Sequence, residues 1–369
     1  MHIIPFVDLR RQYDTIREEI LAEIHDVLDR TAFICGEKTA RFERAFAEAH
    51  GAHHCLGLSS GTDALHLALW ALKIGPGDEV IVPVNTFIAT SETVSLLHAT
   101  PVFVDHDPDT YNIDVNQAAR AVTRRTRAII PVHLYGQPAE LDAVCRLAGE
   151  HNFSVVEDCS QAHLATYRQR PIGTFGRVGT FSFYPGKNLG AYGEAGGVLT
   201  NDDALYRDML RLRQHGSVER YVHELEGHNY RMEEIQAAVL WVKLARLREW
   251  TRARQQAASL YDELLSDIDA VRCPVVAPDR THVYHLYVIQ AERRDELRSF
   301  LEQHGVRTGL HYPIPLHLQQ AYQRLGYRAG DFPVAEAACK RILSLPMFPE
   351  ITRGQILRVA ETIRRFYDD

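Results

Sequence analysis

Lys187 is the residue whose type and neighbours point most directly to chemistry. It stands in FSFYPGKNLG (181–190), after Phe181, Phe183, Tyr184 and Pro185 and before Leu189, with glycines at 190, 193, 196 and 197. Two chemistries place a lysine after a glycine. A phosphate-binding P-loop requires G-x-x-x-x-G-K-[ST]. Here the first glycine position is Phe181 and the residue after the lysine is Asn188, so that reading fails at both ends. A lysine among apolar side chains has a lowered pKa, which makes its amine a usable nucleophile for Schiff-base chemistry. A surface lysine in a turn fits the local sequence equally well.

Other residues compete for roles around it. Asp158 ends the run FSVVED (153–158). Strand alternation sends Glu157 and Asp158 to opposite faces, so they do not form a carboxylate pair. A single acid at a strand's carboxyl end suits a ligand partner, with a helix N-cap as the plain rival. Gln161, three residues on, can reach the same ligand. SSGTDAL (59–65) is a strand-to-helix junction with Gly61 at the turn and Thr62 at the helix start. Free backbone N–H groups and the helix dipole make such a junction an anion site, although an ordinary N-cap has the same sequence. HELEGH (223–228) is not H-E-x-x-H. Its two histidines, five apart, would fall about 140° around a helix, so no metal site is expected there or elsewhere. GTFGRVG (173–179) lacks the opening of a dinucleotide loop and reads as turns.

The elements that must position these residues alternate. Helical spacing covers 13–30 and 37–50. HHCLGLSS reads as a strand and GTDALHLALWALK as a helix apolar almost all round, hence buried. EVIVPV, PVFVD, RAIIPVHL and FSVVED read as strands, with helices at DVNQAARAVTRR and AELDAVCRLAGEH. This pattern implies an α/β fold with a mostly parallel sheet between helices, whose ligands bind at the strands' carboxyl ends. A long helix over 231–265 precedes shorter α and β pieces. The expected domains are therefore 1–245 and 246–369.

Composition sets bounds. The chain has 369 residues, 46% hydrophobic and 24% charged, with a formal net charge of −7 and no block of like charge. A nucleic-acid partner is not expected. The opening MHIIPFVDLRRQYD has neither a basic n-region nor an apolar h-region. The longest stretch without Lys or Arg is interrupted by prolines and polar residues. No secretory signal or membrane span is expected, and the expected location is cytoplasmic. Cys35, Cys55, Cys145, Cys159, Cys273 and Cys339 form no C-x-x-C and read as reduced thiols, mostly core filler.

Taken in order, these pieces resemble the DegT/DnrJ/EryC1/StrS aminotransferases, pyridoxal-phosphate enzymes of fold type I that act on nucleotide-linked keto sugars. The resemblance runs almost end to end. It rests on IPFVDL (4–9), SSGTDAL (59–65), VPVNTFIAT (82–90), VHLYGQPAEL (132–141), EDCSQAH (157–163), FSFYPGKNLGAYGEAG (181–196), GHNYRMEEIQAAVL (227–240), HYPIPLHLQ (311–319) and LSLPMFPE (343–350). It implies a large cofactor-binding domain followed by a smaller C-terminal α/β domain. It makes Lys187 the lysine that holds the cofactor covalently and, once freed, moves the proton between Cα and C4′. Asp158 becomes the partner of the protonated pyridine nitrogen, and Gln161 the side chain near the ring hydroxyl. Gly61, Thr62, Asp63 (through its backbone N–H) and Ser182 become phosphate contacts, and Phe87 the ring stacked on the cofactor. Asn229 matches a residue that reaches the phosphate of a neighbouring subunit, which implies a homodimer with shared sites.

The resemblance also implies a reaction. L-Glutamate donates its amino group, leaving the pyridoxamine 5′-phosphate form, and a keto sugar on a nucleoside diphosphate accepts it. HYPIPLHLQ and GYRAGDFPVAEAA look more like members acting on 3-keto sugars than on 4-keto sugars, carried on dTDP or UDP. Tyr184, Tyr192, His215, Tyr221, His223 and His311 are candidates to line the sugar pocket, with core packing as the other role for some. Relatives with histidine in place of the lysine dehydrate sugars, whereas this chain keeps Lys187. It departs from the usual EDCSQAH-segment pattern only at Ser160 and Leu164. Two rivals stand beside this reading. One is a cofactor-binding regulator without turnover. The other is a desulfurase, for which Cys159 is poorly placed.

Overall fold

The computed structural model describes residues 3–368. Met1, His2 and Asp369, which the two expected domain ranges include, lie outside the described residues. The chain opens with α1 (Leu9–Arg30) and α2 (Glu37–His50), then alternates through β1 (His54–Leu58), α3 (Gly61–Ala71), β2 (Glu79–Pro83), α4 (Ala89–Leu96), β3 (Thr100–Val104), α5 (Val115–Ala121), β4 (Thr126–Ile129), α6 (Leu141–His151) and β5 (Ser154–Asp158). A small hairpin, β6 (Thr166–Tyr167) and β7 (Arg170–Pro171), leads to β8 (Val178–Ser182), β9 (Gly196–Thr200) and α7 (Asp203–Arg213). A second hairpin, β10 (Ser217–Glu219) and β11 (Val222–His223), precedes α8 (Glu234–Leu265). The remainder is β12 (Val271–Arg272), β13 (Tyr287–Ala291), α9 (Arg294–Gln303), α10 (Pro333–Arg341), β14 (Ile342–Leu345) and α11 (Arg353–Asp368).

Seven strands form one sheet in the order β1-β9-β8-β5-β4-β2-β3. The pairs β2–β3, β2–β4, β4–β5 and β5–β8 are parallel. Only β9 runs against the rest, between β8 and β1. The expected mostly parallel sheet is therefore present, and the carboxyl ends of β1, β2, β5 and β8 share one edge. Side chains alternate between two cores. Leu56, Leu58, Val178 and Val198 pack with the buried α3. Cys55, Phe181, Phe183 and Leu199 pack with Phe42 and Phe46 of α2 and with Ala237 and Leu240 of α8. Full burial of each such phenylalanine contributes about 1.5–3 kcal/mol.

β8 and β9 were not foreseen. The first two residues of β8, Val178 and Gly179, fall in the stretch read as turns, and β9 begins with two glycines, which sequence rules treat as strand breakers. Packing overrides the rule at Gly196, where a Cβ would sit 2.1 Å from the Ser60 carbonyl oxygen. That close approach brings the β1–α3 junction against the sheet edge.

α8 is one continuous helix of 32 residues, so the division near 245 drawn from sequence falls inside it. Its first half packs on α2 and the sheet, through Ala237, Leu240 and Leu247. Its second half contributes Ala257, Ala258, Tyr261 and Leu265 to a separate core with β13, β14, α9 and α11. Ile4 joins that second core and donates its N–H to Gly305 O at 2.8 Å. Among the described residues no helix is long and apolar enough to cross a membrane.

Candidate active site

The residues singled out by their types meet at the shared carboxyl edge. Register places Gly196 beside both Leu58 and Ser182, which brings the start of α3 to the end of β8. A Cβ on Gly61 would lie 2.5 Å from Ser182 Cβ, so glycine is required for this approach. Ser60 caps α3, its hydroxyl accepting the Asp63 N–H at 3.0 Å. The Asp63 N–H expected to face a phosphate is thus already engaged. Gly61 and Thr62, in the first turn, have no intrahelical acceptors for their N–H groups. The Asp63 carboxylate turns back and accepts from the Ser59 hydroxyl at 2.6 Å.

Asp158 is buried at the end of β5. Its Oδ2 accepts from Thr90 Oγ1 at 2.9 Å and its Oδ1 from Ser160 N–H at 3.1 Å. Thr90 gives its only hydroxyl proton to Asp158, so in the 2.9 Å contact between Thr86 and Thr90 hydroxyls the donor is Thr86. A carboxylate has about four lone-pair sites, so Asp158 keeps acceptor capacity for a ligand. Gln161 is aimed from both ends. Its Oε1 accepts Tyr135 N–H at 2.7 Å, and its Nε2 donates to the Tyr312 hydroxyl at 3.3 Å. The amide therefore presents N–H to the site. Phe87 is 53% exposed, with its ring 5.9 Å from that of Tyr312.

Lys187 is half-buried on the arch that follows β8, its backbone N–H donating to Tyr184 O at 2.8 Å. Its amine has no hydrogen-bond partner among the described residues. Burial pushes its pKa down to about 8, against the opposing pull of the Asp158 charge. At pH 7 about a tenth of such a group is free amine. His311 lies within reach of the Lys187 charge. Burial first, and Lys187 second, push its pKa down to about 4, while its Nδ1 pairs with Ser344 Oγ at 2.8 Å.

Five of the remaining candidates have other partners or exposure. Tyr192 lies over the amine of Lys243. Tyr221 and His223 belong to the β10–β11 hairpin and His215 to the turn before it; His223 Nδ1 meets His215 O at 2.9 Å and Tyr221 is 81% exposed. With Arg207, Arg211 and Arg231 they line an open hollow of about 890 Å³. Exposed Asn229 accepts from Arg231 Nε at 2.9 Å. No hydrogen bond or ring contact joins these four to Lys187, Asp158 or Gln161 among the described residues. Tyr184, 53% exposed, stays beside Lys187.

Thr86, Thr90, Tyr135 and Tyr312 were not named as site residues from sequence. All lie inside motifs that carried the resemblance, and their hydroxyls and amide were the available signal. The structure also gathers donor atoms of His133, Glu157 and Cys159 within 4.8 Å, although no metal cluster was expected. They form a hydrogen-bond hub. Glu157 accepts N–H groups of Gly173, Phe175 and Gly176, each at 2.8 Å, and meets His133 Nε2 at 3.2 Å. His133 Nδ1 accepts from Ala139 N–H at 3.0 Å. Burial, with the charges of Glu157 and Asp158, drives the Cys159 thiol pKa far up, which disfavours a thiolate at this position.

Comparison with known proteins fits this geometry. The sequence profile of the DegT/DnrJ/EryC1/StrS aminotransferase family matches residues 14–364. The chain belongs to that family. It is 45% identical to the dTDP-3-amino-3,4,6-trideoxy-alpha-D-glucose transaminase of Streptomyces venezuelae, over 98% of this chain and 96% of the relative. It is 44% identical to the UDP-N-acetyl-3-dehydro-alpha-D-glucosamine 3-aminotransferase of Acidithiobacillus ferrooxidans, over 98% and 97%. A Geobacillus stearothermophilus relative, 44% identical over 99% and 98%, is named a pleiotropic regulatory protein. The crystal structure of S. venezuelae DesV in complex with a ketimine intermediate superposes with a TM-score of 0.98 at 44% identity, covering both chains fully. Other solved neighbours carry the cofactor as pyridoxal or pyridoxamine 5′-phosphate.

The residues present fit pyridoxal 5′-phosphate. The amine of Lys187 has no hydrogen-bond partner among the described residues, Asp158 retains lone pairs, and Gly61 and Gly196 let the start of α3, whose free N–H groups suit an anion, close against β8 and β9. When bound, the cofactor supplies an electron sink. Asp158, steadied by Thr90 and Thr86, would hold the ring nitrogen. Gln161 Nε2 would donate to the ring hydroxyl. Gly61, Thr62 and Ser182 would hold the phosphate, and Phe87 would cover one ring face. Lys187, with its lowered pKa, is suited to take and return a proton near neutral pH.

Proposed function

We propose that this aminotransferase converts a nucleotide-linked 3-keto sugar to the 3-amino sugar, with L-glutamate as amino donor. The observation that carries the catalytic part is the half-buried, unpartnered Lys187 amine, its pKa pulled down to about 8, within reach of the Asp158 charge. The names of the dTDP- and UDP-linked relatives support the 3-position and leave both nucleotides as candidates. Asn229 and the β10–β11 hairpin are exposed, and among the described residues they make no hydrogen bond or ring contact with Lys187 in their own chain. We place the protein in the cytoplasm, and this exposure supports a homodimer in which one subunit's hairpin completes the other's site, bringing His215, Tyr221 and His223 to the sugar. Tyr184 and His311 approach the sugar from the same chain as Lys187.

The name of the Geobacillus relative favours a regulator as second reading. Intact Lys187 and Asp158 weigh for turnover. The test is a visible absorption spectrum of the purified protein before and after L-glutamate. A yellow band that collapses to the near-ultraviolet supports the donor half of the reaction. A yellow protein indifferent to glutamate overturns that donor. Amination of dTDP- and UDP-linked 3-keto sugars, compared with a 4-keto sugar, then settles position and nucleotide.

A further inference from the structure

Lys243 of α8 is only 1% exposed. A buried ammonium is costly unless it is well paired, yet among the described residues no carboxylate lies within ion-pair distance of it. Its Nζ instead donates to the carbonyl oxygen of Gly190 at 2.7 Å and lies 4.3 Å from the centre of the Tyr192 ring. Both groups belong to the arch that carries Lys187. Two helical turns earlier on α8, Gln236 Oε1 accepts the Tyr192 N–H at 3.0 Å. Residues seven apart share a helix face, so one face of α8 ties the arch at two adjacent points. The base of the arch is closed by Ala191 N–H to Phe183 O at 2.8 Å.

Packing alone does not explain an amine here. A methionine would fill similar volume without the desolvation cost. What methionine lacks is a donor for the buried Gly190 carbonyl, and an unsatisfied buried carbonyl costs about 1–3 kcal/mol. Burial pulls the Lys243 pKa down to about 7 against the Glu350 charge, and the group can donate to Gly190 in either protonation state.

We propose that Lys243 is a positioning residue for Lys187: its hydrogen bond to Gly190 and its contact with Tyr192 hold the 184–192 arch at the height that sets the Lys187 amine beside Asp158. This rests on Lys187 being the reacting amine. In this role Lys243 acts through the main chain, by its bond to the Gly190 carbonyl.

The test compares full-length wild type, Lys243→Met and Lys243→Gln. Three readouts are thermal melting, kcat and KM, and the pH curve of Lys187 acetylation by acetic anhydride in cofactor-free protein, read by mass spectrometry. Lys243→Met is expected to fold and to keep KM within about twofold. It should lower kcat about tenfold or more and shift the midpoint of the Lys187 labelling curve. Lys243→Gln, which keeps an N–H donor, should recover most of both. A folded Lys243→Met with unchanged kcat and labelling curve overturns the proposal, as does a glutamine variant no better than the methionine one. Should Lys243→Met not fold, Lys243→Arg decides. Its longer fork must displace the arch, so a shifted curve supports the proposal and an unchanged one overturns it. Full turnover in Lys187→Ala would overturn the role of Lys187 itself, while the labelling curve would still report the arch.

Discussion

Glu157 and Asp158 are adjacent carboxylates on β5, and the two faces of that strand use them in opposite ways. Glu157 is saturated: three backbone N–H groups and His133 surround it. Burial opposes its ionisation, but His133 and those N–H groups outweigh burial and hold its pKa below the usual carboxylate range. Asp158 has one hydroxyl and one backbone N–H, and it faces the Lys187 side. A saturated buried carboxylate stitches loops together. An under-satisfied one is available to a ligand. Burial alone does not separate them, because both side chains are buried. The count of hydrogen bonds already made does.

The contrast can be broken in several ways. Lys187→Met is expected to lose about 10⁴-fold or more in turnover, since under the proposed function it removes both the covalent attachment and the proton carrier. It should also stabilise the cofactor-free protein at pH 7. The folded pKa of Lys187 lies below its unfolded value, so the unfolded chain binds more protons between about pH 8 and 10.4 and wild-type stability rises across that window. The gain from removing the lysine, about 1–3 kcal/mol, should therefore be full below pH 8 and fade towards pH 10. Thermal melts at several pH values measure it, and a variant that melts lower at pH 7 would contradict the assigned burial.

Asp158→Asn should cost about 10²–10³-fold in kcat while leaving the fold intact. Comparable activity would place Asp158 with Glu157 as a structural acid. Glu157→Gln should do the reverse, costing about 3 kcal/mol of stability with kcat preserved in the folded fraction. Because the folded pKa of Glu157 is depressed, its contribution is complete above the unfolded carboxylate pKa and is lost as pH falls through the folded value. The glutamine variant should show a correspondingly weaker acid dependence in urea titrations between about pH 5 and 2. The smallest effect belongs to Thr90→Val. Loss of one hydrogen bond to a charged group, about 1.5 kcal/mol, should lower activity about tenfold, with Thr90→Ser retaining most of it. Equal loss in both variants would assign the role to packing.

Much of this arrangement was legible in the chain. The alternation of HHCLGLSS, EVIVPV, PVFVD, RAIIPVHL and FSVVED with helical segments specified parallel strands, and so placed Gly61, Phe87, Asp158 and Gln161 at or just beyond strand ends. The period of two separated Glu157 from Asp158 before any contact was known. The lysine in FSFYPGK was marked by its apolar neighbours, because residue type and local polarity are properties of a short window. Strands β8 and β9 were hidden because glycine has low strand propensity, and only the neighbouring Ser60 carbonyl explains Gly196.

What tertiary structure alone decided was pairing between distant segments. Thr90 became the partner of Asp158 across 68 positions and Lys243 that of Gly190 across 53. Tyr312 became the partner of Gln161 across 151. It also decided that the Asp63 N–H is spent on a cap, that His223 pairs with His215 and that Asn229 pairs with Arg231. Sequence by itself determines which groups carry chemistry and which face of an element they take, because those follow from covalent identity and backbone period. The partners that tune a pKa, aim an amide or leave a lone pair open are set by the closure of long loops, and no local pattern records where such loops meet.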